Sequence, residues 1–188
     1  MIVSLTPLAV SVLALLNERP MHPYEMHQLL IERHEDRFVK VRRGSLYHTV
    51  ERLAAEELVE ATGTDRCGNR PERTTYAITD TGRTALTERV TELLRTPVNE
   101  YPCFPAALAE AHNLDRDAII EHLRWRIMNL DCNIAEADAA MQGARGMDVP
   151  EPYWLVLDYQ RAMYATERAW LARLADRIES KDLTWPRP

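Results

Sequence analysis

Apolar positions over the first half of the chain recur every three or four residues in four separate runs, and between the third and fourth runs the period drops to two. Leu8, Val12, Leu15 and Leu16 follow Thr6-Pro7, an N-cap candidate with proline at the first helical position, and predict a helix to about Asn17. Arg19-Pro20-Met21-His22-Pro23 cannot continue it, because a proline lacks the amide donor and its ring clashes with the preceding turn. Tyr24, Met26, Leu29 and Leu30 begin a second stripe that runs to about Glu35. Leu46, Val50, Leu53 and Ala54 form a third over 45–56, with Ser45 placed to cap its free amides.

The change of period follows. Leu58-Val59-Glu60-Ala61-Thr62 and Thr74-Thr75-Tyr76-Ala77-Ile78 are rich in β-branched and aromatic residues, and the polar stretch Gly63 to Glu72 lies between them, so an antiparallel hairpin with a long tip is expected. Thr79-Asp80-Thr81-Gly82 offers capping side chains to a fourth helix, whose Leu86, Val90, Leu93 and Leu94 share one face up to about Thr96-Pro97.

Beyond Pro97, Pro102 and Pro105 no strand pattern returns. A short helix is expected over 105–113. Asp115 then opens a long one in which Ile120, Leu123, Ile127, Leu130, Ile134, Ala137 and Met141 alternate steps of three and four, a heptad seam that Gly143, Gly146 and Pro150 bring to an end. Leu155, Tyr159, Met163, Trp170, Leu174 and Ile178 give a last helix over 153–178 a broad apolar face. The expected chain is mainly α with a small antiparallel β-hairpin: a winged helix-turn-helix domain over 1–96, a linker and short helix over 97–114, and a helical dimerisation and effector domain over 115–188.

Helix, helix, helix, hairpin, helix is the order of a winged helix-turn-helix, in which the third helix enters a groove of DNA and the hairpin tip touches flanking backbone. A net charge of −6 argues against a polyanion partner until its distribution is considered. Residues 1–95 hold 13 Lys+Arg against 14 Asp+Glu, whereas 96–188 hold 10 against 15. Within the first half, Arg37 to His48 carries Arg37, Lys40, Arg42 and Arg43 with no acid, and Arg66 to Arg73 carries three arginines against Glu72. One basic island abuts the start of the third helix and the other is the hairpin tip, the two places a duplex would touch.

Reach assigns roles. Ser45, Tyr47, His48 and Arg52 lie off the apolar stripe of the third helix and are candidates for base edges or phosphate oxygens, while Arg42 and Arg43 stand beside free amides of Gly44, Ser45 and Leu46 that suit a phosphate. Arg66, Arg70 and Arg73 on the tip are candidate phosphate or minor-groove cations.

Composition narrows the alternatives. At 188 residues and 21.7 kDa, with 46% hydrophobic and 28% charged residues and a mean hydropathy of −0.36, the chain is a folded protein of one or two small domains. Its longest apolar-leaning run, Ile2 to Leu16, is shorter than the roughly 20 residues that span a bilayer. No basic segment precedes that run as in a secretory signal, so a cytoplasmic location without membrane contact is expected. Cys67, Cys103 and Cys132 are odd in number and far apart, which favours reduced thiols. No nucleophile-elbow, dinucleotide, P-loop or zinc-protease motif is present, so neither an enzyme nor a cofactor is expected. The rivals to DNA binding are a winged helix used for protein contact, a metal sensor built on His22, His27 and His34, and a redox switch at Cys67. The histidine spacing does not place all three on one face, and arginines at the tip and at the third helix are unlike a pure protein-contact module.

Gly44-Ser45-Leu46-Tyr47 through Leu53, then Leu58-Val59, the stretch Arg66 to Arg73, and Tyr76-Ala77-Ile78-Thr79-Asp80-Thr81-Gly82 resemble the PadR family of bacterial transcriptional regulators, as does Pro20-Met21-His22-Pro23-Tyr24-Glu25. The resemblance covers residues 5–95. Pro23 stands where members often carry Gly, and Glu57 stands where a Gly usually precedes the Leu-Val of the first wing strand, so the third helix must end without the residue best suited to a left-handed turn.

The resemblance implies a dimer formed by the helical C-terminal region, and a heptad seam likewise wants a partner helix. The chain's own last helix and a second copy can both serve, and Ile120, Leu123, Ile127, Leu130, Ile134, Met163 and Trp170 are the expected dimerisation residues. A twofold homodimer would read an inverted-repeat operator in double-stranded DNA. The resemblance further implies a repressor that loses DNA affinity on binding a small aromatic, phenolic or drug-like effector, with Trp125, Tyr153 and Trp154 as candidate pocket residues.

Overall fold

The structure, a computed structural model, describes residues 5–65 and 73–186. It divides into two compact units, residues 1–100 and 101–188, a division inside the expected 97–114 linker.

The first unit is built around α1 (Pro7–Glu18), whose N-terminus is capped by the Thr6 hydroxyl accepting from the Ala9 amide at 3.3 Å. Leu8, Ala9, Val12, Leu13, Leu15 and Leu16 are all buried, so this helix is apolar almost all round and forms the centre of the core. α2 (Pro23–Glu32) and α3 (Arg43–Ala55) pack on each other, and α3 and α4 (Asp80–Arg95) pack on α1. Met26 and Leu30 from α2, with Leu46, Val50 and Leu53 from α3, complete the core. Burial of side chains of this size contributes about 1.5–3 kcal/mol each.

α2 ends three residues short of the expected Glu35, because His34 turns left-handed and Glu35–Arg37 form a tight 3-10 turn. α3 begins two residues earlier than expected, with Arg42 at the N-cap. Ser45 is therefore inside the first turn and caps nothing; its carbonyl instead accepts from the buried Thr49 hydroxyl at 2.8 Å.

β1 (Val59–Asp65) and β2 (Arg73–Ile78) form the antiparallel hairpin, in register from Val59↔Ile78 to Asp65↔Arg73. The strands continue past Gly63, where a tip was expected, by taking up Thr62 as an irregularity between Ala61 and Gly63. Met21, in the break between α1 and α2, exchanges both backbone hydrogen bonds with Tyr76 at 3.1 Å and fastens the base of the hairpin.

The end of α3 is a Schellman turn closed by Glu57 in the left-handed conformation, φ 57°. The Leu58 amide donates to the Leu53 carbonyl at 2.9 Å and the Glu57 amide to that of Ala54 at 3.0 Å. Thr79, N-cap of α4, donates through its hydroxyl to the Glu57 and Leu58 carbonyls at 2.9 and 3.1 Å and accepts from the Gly82 amide at 3.0 Å.

In the second unit, α5 (Cys103–Ala109) precedes α6 (Arg116–Gly146) and α7 (Leu155–Glu179). Asp115 caps α6, accepting from the Ala118 amide at 2.8 Å, and the helix runs through Gly143 instead of breaking there. α6 and α7 form an antiparallel hairpin whose core holds Ile119, Ile120, Leu123, Leu130, Leu171, Ala175 and Ile178, joined by Phe104 and Leu108 of α5. Ion pairs link the two helices, among them Arg124 to Glu179 at 2.5 Å, Arg126 to Glu167 at 2.6 Å, Arg161 to Asp138 at 2.5 Å and Arg168 to Asp131 at 2.9 Å. No helix among the described residues is long and apolar enough to cross a membrane.

Candidate nucleic-acid interface

The stripe that roots α3 in the core leaves the rest of the helix to solvent. Leu46, Thr49, Val50 and Leu53 are buried, whereas Arg42, Arg43, Gly44, Ser45, Tyr47, His48 and Arg52 are exposed, Tyr47 at 44%. Side chains on a polar helical face fixed by a buried opposite face are suited to reading base edges, because the core holds the helix while they remain free to reach.

The first turn has no side-chain cap. The Leu46 amide donates to the Arg42 carbonyl at 2.9 Å, so the amides left over at the N-terminus are those of Arg43, Gly44 and Ser45, one residue earlier than the sequence suggested. They bring the positive end of the helix dipole to the two arginines that precede Gly44.

Two neighbours of this face escaped the sequence reading. Glu51 stands one turn beyond His48, with its Oε2 3.3 Å from His48 Nδ1; the i, i+3 spacing was the available signal. Tyr24, at the start of α2, lies under Arg43, whose guanidinium carbon is 5.6 Å from the ring centre. Nothing in the spacing of two residues on separate helices announces that contact. Next to Tyr24, Glu25 is taken up by Arg19 at 2.5 Å, and that hydrogen bond holds its carboxyl below the ordinary carboxylate range.

Arg73 opens β2 and lies opposite Asp65 in the hairpin register. Arg66 and Arg70, and with them Cys67, lie outside the described residues. Among the described residues no group of three His, Cys, Asp or Glu is placed to hold a metal, and His22 lies 3.4–3.5 Å from the Thr75 hydroxyl instead.

In the second unit the heptad seam faces inward. Ile120, Leu123 and Leu130 are buried against α7, with Ile127 and Ile134 partly so, which leaves Leu123 only 3% exposed. The chain's own last helix, one of the two partners expected for the seam, covers it, because a short connector folds α7 back antiparallel along α6. Met163 and Trp170 do remain exposed, on a face of α7 shared with Leu155 and Tyr159, and Trp125 and Met128 stand on the face of α6 opposite the seam.

The three expected pocket residues do not converge. Trp154 is buried, donates its indole N–H to the Val149 carbonyl at 3.1 Å and lies under Arg145, closing the end of the hairpin. Trp125 sits about 30 Å away along α6, by the rise per residue between positions 125 and 145. It borders an open groove of about 380 Å³ with His122, Arg126, Asn129, Asn133, Tyr164 and Glu167, while Tyr153 projects into solvent. Aromatic residues on a helix and on the connector beyond its far end share a pocket only if they fall at matching heights, and these do not.

Residues 12–88 match the transcriptional regulator PadR-like family. No curated protein matches the chain by sequence. Among solved structures, Bacillus subtilis PadR in complex with operator DNA superposes with a TM-score of 0.76 at 17% identity, over 91% of this chain and 97% of that one. The same protein in complex with p-coumaric acid gives 0.74 at 15% identity, over 92% and 98%. A PadR-like transcriptional regulator from Bacillus cereus gives 0.66 at 20% identity, over 93% and 99%. These likenesses show the fold, and the match over 12–88, with the helix, hairpin and turn described above, makes that winged-helix unit a PadR-like family domain, the domain of a family of transcriptional regulators.

Proposed function

We propose that this protein is a cytoplasmic, homodimeric repressor that binds an inverted-repeat operator in double-stranded DNA and is released from it by a small aromatic, phenolic or drug-like effector. The observation that carries the DNA reading is the exposed face of α3: an uncapped first turn beside Arg42 and Arg43, followed by Ser45, Tyr47, His48 and Arg52, on a helix pinned by Leu46, Val50 and Leu53. Phosphate contacts would come from the arginines and the free amides, and base discrimination from Tyr47, His48 and Arg52. Arg66, Arg70 and Arg73 would supply flanking cations from the wing.

The dimer reading is supported by the apolar side chains that the second unit leaves in solvent, Trp125, Met128, Tyr159, Met163 and Trp170. Two α3 helices related by a twofold axis would meet half-sites about one helical turn apart, or a multiple of it. The effector reading is supported by the structure of Bacillus subtilis PadR with p-coumaric acid and by the groove beside Trp125. A ligand acts only through its preference for one arrangement of the dimer, here one whose recognition helices no longer match the operator spacing.

A binding assay on the DNA upstream of the protein's own gene tests the proposal. A footprint shaped as an inverted repeat, resistant to excess unrelated duplex and lost on adding phenolic compounds, is the expected result. Failure to bind any duplex at low salt would overturn it.

A further inference from the structure

Most described arginines whose guanidinium is held in place are held by carboxylates. Arg19 pairs with Glu25, Arg33 with Glu18, Arg161 with Asp138 and Arg168 with Asp131, each at 2.5–2.9 Å. A carboxylate orients its arginine and also cancels the charge that an external anion would meet. Arg43 is different. Its guanidinium lies 5.6 Å from the centre of the Tyr24 ring and pairs with no described carboxylate. A ring attracts a cation through its quadrupole and carries no net charge, so it fixes the side chain while leaving the full positive charge available.

The placement gives that charge a use. Tyr24 is the second residue of α2 and is half exposed, while Arg43 is the first residue of α3, beside the unpaired amides of the first turn. An unrestrained arginine loses considerable rotamer freedom when it takes hold of a phosphate. One already lying on an aromatic face loses less.

We infer that Tyr24 is a positioning residue for DNA binding: its ring holds Arg43, unneutralised, at the N-terminus of α3, so that the guanidinium meets a backbone phosphate. The inference rests on the DNA reading above and adds a specific division of labour, in which Arg43 makes the contact and Tyr24 acts through it. The contact with Arg43 is made by the ring, so phenylalanine should serve as well.

The experiment is a double-mutant cycle in the full-length protein, read by fluorescence anisotropy on a mixed-sequence 30-base-pair duplex across a salt series. Y24F should bind as the wild type does. Y24A should bind about threefold to fivefold more weakly, the loss expected for an exposed cation–π contact. R43A should lose at least as much and lower the log–log salt slope by about one per protomer, and adding Y24A to R43A should cost nothing further. Melting curves of the same variants separate a fold defect from a binding defect; Y24L, which keeps bulk without the π face, should match Y24A in binding and the wild type in melting. Overturning results are full affinity in Y24A, equal losses in Y24F and Y24A, or additive losses in the double variant. Any of these leaves the DNA reading standing. Absence of duplex binding by the wild type removes the DNA reading itself and this inference with it.

Discussion

The carbonyl oxygen of Leu58 fills the space that a side chain on Gly82 would need: a β-carbon there would stand 2.1 Å from it, and 2.8 Å from Ile78 Cγ1. The first turn of α4 is pressed this closely on the end of α3 because Thr79 binds the Glu57 and Leu58 carbonyls while capping α4. The joint fixes the far end of the helix that carries the candidate reading face.

Gly82→Ala should therefore destabilise the first unit by about 3 kcal/mol or more, since the obstruction is backbone and cannot rotate away. Gly44→Ala meets nothing within 4 Å and should raise stability by a few tenths of a kcal/mol through helix propensity. Chemical denaturation of the two variants checks the contrast, and equal stability of both would contradict the close approach.

Glu57→Gly should stabilise by about 1 kcal/mol. Glu57 holds φ 57° to close the Schellman turn, a conformation that crowds any β-carbon and that glycine adopts freely. An unchanged or lower melting temperature would contradict that account.

Acid–base behaviour should turn on Glu35. Burial pushes its carboxyl above the ordinary value, opposed by a hydrogen bond from Ser11. The folded protein then binds that proton more tightly than the unfolded chain does. Stability from this group is highest below the ordinary carboxylate value, declines as pH rises through the interval up to the raised one, and stays reduced at neutral pH. Glu18 and Glu25 work in the opposite direction, each held down by a hydrogen bond to arginine, Arg33 and Arg19 respectively. Their contribution is present at neutral pH and fades as pH falls through their lowered range. Glu35→Gln should raise the melting temperature at pH 7 and leave it nearly unchanged at pH 4; a parallel shift at both values would contradict the assignment.

Subunit association should respond to the outward faces of the helical unit, not to its seam. Leu123→Glu places a charge in a packed interior and should unfold that unit, at a cost of several kcal/mol. Trp170→Glu or Met163→Glu alters residues already in solvent and should yield folded monomers. Sizing by light scattering with circular dichroism distinguishes the two results, and a folded dimer from both surface variants would remove these side chains from the interface.

Affinity for duplex DNA should fall steeply with salt. About five or six phosphate contacts per protomer correspond to a log–log slope near −5. Arg70→Ala should weaken binding to all sequences alike, whereas Tyr47→Ala and His48→Ala should change preference among sequences as well. A slope near zero would exclude the phosphate contacts from the wing and α3.

Period and punctuation in the amino-acid order determined the elements of this protein: Thr6-Pro7, Thr79 and Asp115 are caps in the structure as in the pattern, and the switch from a period of 3.6 to one of 2 marks the wing. These are local matters, settled within one turn of helix or one pair of strands. Tertiary packing decided what each face meets. It turned the seam of Ile120, Leu123 and Leu130 toward the chain's own α7, started α3 at Arg43 instead of Ser45, closed its end with a left-handed Glu57 and laid Arg43 over Tyr24. A periodic stripe records that a helix buries one side but not which partner covers it, and contacts between residues far apart in the chain leave no spacing to be read.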